Sequence, residues 1–556
     1  MRLCLTVLAV LLGPVTSAWA QQDGLLQIND PLHRFLLRQQ TLGRLPDAVL
    51  SHQPLSAYEA RQYLDSLDAG TLSRVDRQLY ARFRGTAPGP GVSTFRKVIP
   101  FAFRNGRDFI SAEGEDFALQ VNPLFYLTYG RARQSQRDDR EASVPVWQNT
   151  RGLRASGHIG KHIFFETRLE ENQRRDAWPA FALDTAPRLG STKFDRDGQF
   201  YDYFVATGIA GFRSKHFEVR LGRDRNRWGF GKGSLMLSNF APVFDQLQIR
   251  TTVWRLQYTN LFVKLSDQSP EDLFTSVVPS KYGAFHRLAI RVSNRIQVAL
   301  FESVIFSSPD SLGLRAGGFE LSYLNPIILY RAVESDLVNP DVNPDNVLLG
   351  GSFSWVAWPG VRLYTELLID ELKVNQIGKK WWGNKWGWMA GLHLADVPLK
   401  NLSLRFEYAR LRPYLYSHQS SLSAYIHYND LLGHPAGPNA SDVAFFLDYQ
   451  PTTRLRAALN LAYTRRGRNT STQNFGSDPS LSFGTRVSDT DVRLLQGIRQ
   501  THLLVEAYLG YELLPDVYLE AAFKAESIDD AETGTDRYVA PFVMLRWGLP
   551  FQSLQY

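Results

Sequence analysis

Three stretches carry side chains in combinations that can hold a ligand. In Leu221–Arg250 (LGRDRNRWGFGKGSLMLSNFAPVFDQLQIR), Arg223, Arg225 and Arg227 precede Trp228, a glycine-rich turn and a run reaching Asn239. Guanidinium groups bind carboxylates and hydroxyls through paired hydrogen bonds, and an indole adds an apolar face. The set therefore suits sugar hydroxyls or uronate carboxylates. A strand–turn corner with charges turned to a wet interior explains the same residues equally well. The second stretch is Tyr323–Asp370, with YLNPIILYRAVE, NPDNVLLGGSFSW and LYTELLIDE. The third, Tyr414–Asp442, is rich in rings and hydroxyls. Its Tyr414, Tyr416, His418, Tyr425 and His427 can line a carbohydrate groove.

Other chemistry finds no support. GxxxxGK[ST], HExxH and GxSxG do not occur. The nearest histidine group, His418, His427 and His434, has spacings of nine and seven, which is not a ligand pattern. Asp370 and Glu371 are neighbours, and neighbours on a strand point to opposite faces, so they cannot flank one bond. The single cysteine, Cys4, falls in a segment expected to be removed, leaving no thiol for a disulfide, a metal or a nucleophile. No catalytic residue, metal site or cofactor is expected. The formal charge of +7 over 556 residues is modest and does not point to nucleic acid.

These stretches must be held by elements of two kinds. Met1–Ala20 has Arg2, an apolar run from Leu3 to Leu12 and the small-x-small site Ala18-Trp19-Ala20, the pattern of a secretory signal. Residues 21–84 have helical period. Pro31 suits a first helical turn, with Leu32, Phe35 and Leu36 on one face. Ser56 and Glu59 form a capping box ahead of Ala60, Tyr63, Leu64 and Leu67. Leu72, Val75 and Leu79 line a third helix. Residues 85–94, which take in most of RGTAPGPGVS (Arg84–Ser93), read as a linker.

From residue 95 to 556 the period is two. Val361, Leu363, Thr365, Leu367 and Ile369 alternate with Arg362, Tyr364, Glu366, Leu368 and Asp370. Val517, Leu519, Ala521, Phe523 and Ala525 alternate with Tyr518, Glu520, Ala522, Lys524 and Glu526. Such runs are long for a soluble sandwich, and about 9–11 residues is what a tilted strand needs to cross a bilayer. Beyond the signal no apolar run is long enough for a spanning helix, so an exported chain of this kind crosses a membrane only as a closed barrel. Trp254, Tyr258, Tyr330, Trp355, Trp358 and Trp547 suit an interfacial girdle. At roughly 25 residues per strand and connection, the expectation is an all-β, large transmembrane antiparallel barrel of about 18 strands. Short turns mark one side. The long connections Ser266–Lys281, Ser335–Asp345, Leu411–Ser441 and Arg465–Asp491 belong outside the cell, and the helices cover the periplasmic mouth. Trp547 and Tyr556 are alternatives for the terminal aromatic that barrel assembly machinery reads.

The helical prelude PLHRFLLRQQTLGRLP and QPLSAYEARQYLDSL, the RWG–LSN corner, NPIILYRAVE, LYTELLIDE and LGHPAGPN together resemble the capsule assembly Wzi family of outer-membrane proteins. The resemblance runs through nearly the whole mature chain. It implies an outer-membrane barrel with a periplasmic helical segment, acting as a lectin-like anchor for capsular or exopolysaccharide and bringing no catalytic residues. An open diffusion channel is the alternative function.

Overall fold

The computed structural model describes residues 24–135, 141–176, 192–194, 200–267, 279–307, 319–327, 329–331, 345–428 and 430–550. The expected signal peptide, Tyr556 and most of the Ser266–Lys281 and Ser335–Asp345 connections lie outside them.

Eighteen antiparallel strands close into one barrel. They are β1 (Phe117–Ser135), β2 (Glu141–Ile159), β3 (Ile163–Arg175), β4 (Tyr201–Arg213), β5 (Phe217–Asp224) and β6 (Phe244–Val253). There follow β7 (Leu256–Ser266), β8 (Ser280–Arg291), β9 (Ile296–Phe306), β10 (Asn346–Trp358), β11 (Val361–Glu371) and β12 (Lys385–Ala395). The circuit ends with β13 (Leu402–Leu411), β14 (Ala440–Tyr449), β15 (Leu455–Arg468), β16 (Ile498–Leu514), β17 (Val517–Asp530) and β18 (Gly534–Trp547). Trp547 lies opposite Phe125 and Arg537 opposite Ser135, so the last strand pairs with the first and the barrel wall closes on itself.

The alternation read from the sequence is the one the wall uses. On β17, Leu519 and Phe523 are exposed outward while Glu520, Lys524 and Glu526 are buried toward the lumen. On β11, Leu363 and Leu367 face out and Arg362, Tyr364, Glu366 and Asp370 face in. Buried charge is tolerated only when paired, and the lumen pairs it. Arg546 meets Glu520 at 2.5 Å, and Arg250 sits between Glu218 at 2.6 Å and Glu59 at 3.0 Å.

Three expectations need correction. Asp370 and Glu371 do not diverge, because a register shift after Ile369 brings both to Lys385, at 2.8 and 3.4 Å. Tyr330 is fully buried and Trp547 packs on Phe103 and Phe109, whereas Trp254 and Trp358 stand exposed at the short-turn end as a girdle requires. The barrel does not start at 95 either. Val92–Val98 forms a further helix there, and the first strand to join the wall is the short Ile110–Glu113, which pairs with β1.

The prelude folds as expected into α1 (Pro31–Thr41), α2 (Ala57–Asp65) and α3 (Arg74–Phe83), each capped by a side-chain oxygen from Asp30, Ser56 or Ser73. These helices do not rest on the mouth; they enter it. Leu32, Leu36 and Leu37 share one apolar cluster with Trp228, Phe285, Phe301 and Leu368 from the lumen. At the short-turn end Arg38 reaches Asp396 at 2.6 Å between β12 and β13, and Arg82 holds Glu512 at 2.5 Å. The Gly360 amide donates to the Thr41 carbonyl at 2.9 Å. An interior this wide cannot be filled by wall side chains alone, and the helices supply the missing apolar volume.

Candidate functional site

At the opposite end three connections, residues 372–384, 412–439 and 469–497, knit into a lid. The Tyr414 amide donates to the Gly476 carbonyl at 2.9 Å, the Trp382 amide to Asp489 at 3.1 Å and the Val492 amide to Lys380 at 2.9 Å. Beneath it lies the corner between β5 and β6. Trp228 is wedged edge-on between Phe285 and Phe301, with centroids 6.3 and 6.0 Å away. Gly229 turns the chain at φ +125, where a Cβ would lie 2.0 Å from Glu366 Oε1, so only glycine fits.

Lid and corner are tied by tyrosines. The Tyr416 hydroxyl donates to the Leu235 carbonyl at 2.9 Å and accepts from the His434 amide at 3.2 Å. The Tyr425 hydroxyl donates to the Met236 carbonyl, and its ring stacks on Tyr416 at 5.6 Å. His427 accepts from the Ser266 amide at 3.0 Å through Nδ1, so Nε2 carries the proton toward the Val243 carbonyl. Burial pulls the His418 and His427 imidazoles down to about 3, leaving both neutral.

This geometry corrects the expected sugar contacts. Tyr414, Tyr416, His418, Tyr425 and His427 are all buried, as are Arg227 and Trp228. Their polar atoms serve mainly the chain itself, so these residues build the floor of the lid and present no open face to a polymer. Arg223 turns to the outer face of the wall, 3.6 Å from Asp245. Arg225 and Asn239 are half-buried beside the corner. The physical reason is common to the set: large rings are the cheapest way to fill a wide lumen.

The open surface is elsewhere, in a run the sequence reading passed over. Trp381 is half-exposed with the Lys373 ammonium 5.6 Å from its ring, and the Arg486 guanidinium lies 4.1 Å from the ring of Trp382. Lys379, Lys380, Gln419, Ser420 and Arg493 are exposed around them. The signal available was KKWWGNKW, residues 379–386, with tandem tryptophans between lysines. Exposed rings beside cations and hydroxyls can stack on pyranose faces and bind acidic substituents.

The NPIILYRAVE stretch has another role. His286 and Glu302 point outward from β8 and β9 yet are buried, because Tyr330 and Arg331 lie over them. The Tyr330 hydroxyl meets His286 Nε2 at 2.6 Å, and the Arg331 amide donates to Glu302 at 3.3 Å. Polar groups on the lipid side need such cover.

A closed barrel of eighteen strands, apolar outside and filled inside, defines a plugged transmembrane β-barrel. Residues 321–537, which include all three lid connections, match the family model for capsule assembly protein Wzi. The fold is shared with the structure of Escherichia coli Wzi, described as an outer-membrane protein involved in group 1 capsule assembly and a carbohydrate-binding β-barrel. The TM-score is 0.55 and identity 14%, over 95% of this chain and 100% of that one. Pseudomonas aeruginosa OprD gives a TM-score of 0.42 at 10% identity, over 77% and 94% of the two chains. The comparison with curated proteins gave no match.

Proposed function

We propose that this protein is a non-enzymatic, lectin-like barrel of the outer membrane that holds capsular or exopolysaccharide at the cell surface. One observation carries the reading. The lumen is filled from both ends, by the helical plug and by the lid, while an aromatic and cationic face stays open on the long-connection side. Short turns mark the periplasmic side of such barrels, so the plug faces the periplasm and the lid the exterior. Lipid meets the outward apolar rows, and barrel assembly machinery inserts the chain. Many weak contacts to Trp381, Arg486, Lys373 and their neighbours add along a repeating polymer through multivalency.

A channel needs a continuous water path. Beside the plug, two of the cavities among the described residues hold about 110 Å³ each. The deciding experiment immobilises the native host's capsular polymer and passes purified protein over it. Wild type is retained, and a variant carrying Trp381→Ala and Arg486→Ala is not. Equal retention of both proteins, or a large steady conductance of wild type in a planar bilayer, refutes the proposal.

A further inference from the structure

Beneath α1 a chamber of about 110 Å³ brings together more positive charge than the protein neutralises. Arg34, Lys232, Arg405 and Arg456 line it, and Asp448 is the carboxylate on its wall. Asp448 is committed to Arg456 at 2.5 Å and lies 3.7 Å from Arg34. Arg405 donates to the Phe230 carbonyl at 2.9 Å and has no carboxylate partner among the described residues. The Lys232 ammonium has none either, and it stands 5.8 Å from the ring of Phe446. Behind the wall Arg227 is buried with its Nε unbonded.

Two buried carboxylates nearby are already engaged by other donors. Glu407 accepts the Lys232 amide at 3.0 Å and the Tyr364 hydroxyl, and Glu366 accepts the Leu235 amide and Ser234 Oγ, each at 2.9 Å. Burial, and after it the charges of Arg405 and Arg227, hold the Lys232 ammonium down to about 7. His393, also on the wall, is 2% exposed and its Nε2 has no partner. Unpaired cations crowded together and partly withdrawn from water cost free energy until an anion joins them.

We propose that this chamber binds a tetrahedral oxyanion of the phosphate class, held by Lys232, Arg405 and Arg34. Such an anion links the plug, through Arg34 on α1, to the corner, through Lys232, and to the wall, through Arg405 on β13. Hydrogen phosphate suits the lining in a second way, since with an O–H and bare oxygens it can pair with the unpartnered Nε2 of His393 in either tautomer. A neighbouring cavity shares Pro31, Arg34 and Arg456 with the chamber and continues to Asp516 and Gly548 at the short-turn end, which gives a small ion its way in.

The test is calorimetric titration of the full-length protein in detergent with inorganic phosphate. Wild type should bind saturably at one site. Lys232→Met should weaken binding at least about tenfold, because charge-assisted hydrogen bonds are lost. Arg499→Gln, on a side chain 70% exposed at the barrel rim, should leave it unchanged. A heat-modifiable gel band verifies folding of each variant, and Arg405→Gln replaces Lys232→Met if that protein fails it. No saturable binding in wild type, equal binding in the cavity variant, or binding of glucuronate in place of phosphate overturns the assignment.

Discussion

Arg38 is the clamp of the plug, and removing it gives a quantitative test of how the helices are held. Its guanidinium is 7% exposed and donates to Asp396 at 2.6 Å, to Asn401 at 3.3 Å and to Asp76, which is itself fully buried. Arg38→Met keeps the stem and removes the charge, leaving Asp76 and Asp396 without their cation. Removing one partner from a buried ion pair costs about 3–5 kcal/mol. At about 1.4 kcal/mol per factor of ten, that raises the opening equilibrium of the plug by roughly two to nearly four powers of ten. Hydrogen exchange in detergent reads this directly on the amides of α1, with those of β16 and β17 as the internal reference. Adding Asp76→Asn and Asp396→Asn should recover much of the loss, since the stranded charges are gone. A change below tenfold on α1, or equal acceleration in the barrel strands, would show that this clamp does not hold the plug.

Leu519→Arg, on the outward row of β17, should destabilise the barrel in lipid vesicles by about 2–4 kcal/mol, whereas Leu519→Phe should be close to neutral; equal urea midpoints for the two would contradict a lipid-facing row. Tyr416→Phe removes the hydroxyl that serves the Leu235 carbonyl and the His434 amide, and should loosen the lid by about 1–3 kcal/mol, seen as faster proteolysis within 412–439 at unchanged barrel stability. His33 and His52 sit on the plug with burial as the first cause of their low values, His33 well below the ordinary range and His52 down to about 4. Their folded values lie below the unfolded one, so the undocked plug takes up protons first. Docking should therefore weaken as pH falls below about 6.5, by up to about 1.4 kcal/mol per unit for each histidine. The plug should undock at lower urea at pH 5 than at pH 7.5; an unchanged or higher midpoint would count against this.

Much of the architecture was legible before any coordinates. The period-two pattern placed Leu519 and Leu367 outside and Glu520 and Glu366 inside, because a strand has only two faces and a closed barrel gives one to lipid. Strand number followed from chain length, and the helices of the prelude from their caps and apolar spacing. What the pattern could not tell was how the interior is filled. The tyrosines of Tyr414–Asp442 look from their composition like an open groove, yet Tyr416 and Tyr425 end up under the lid with their hydroxyls on the backbone of Leu235 and Met236, far away in sequence. The same holds for Tyr330 and Arg331 of NPIILYRAVE, which cover a polar pair on the outer wall, and for Lys232 and Arg405, which share one chamber with Arg34. Local sequence sets which face a residue takes, since that depends on its immediate neighbours. Which residues meet across the lumen depends on closing the wall around the plug, and that only the tertiary structure decided.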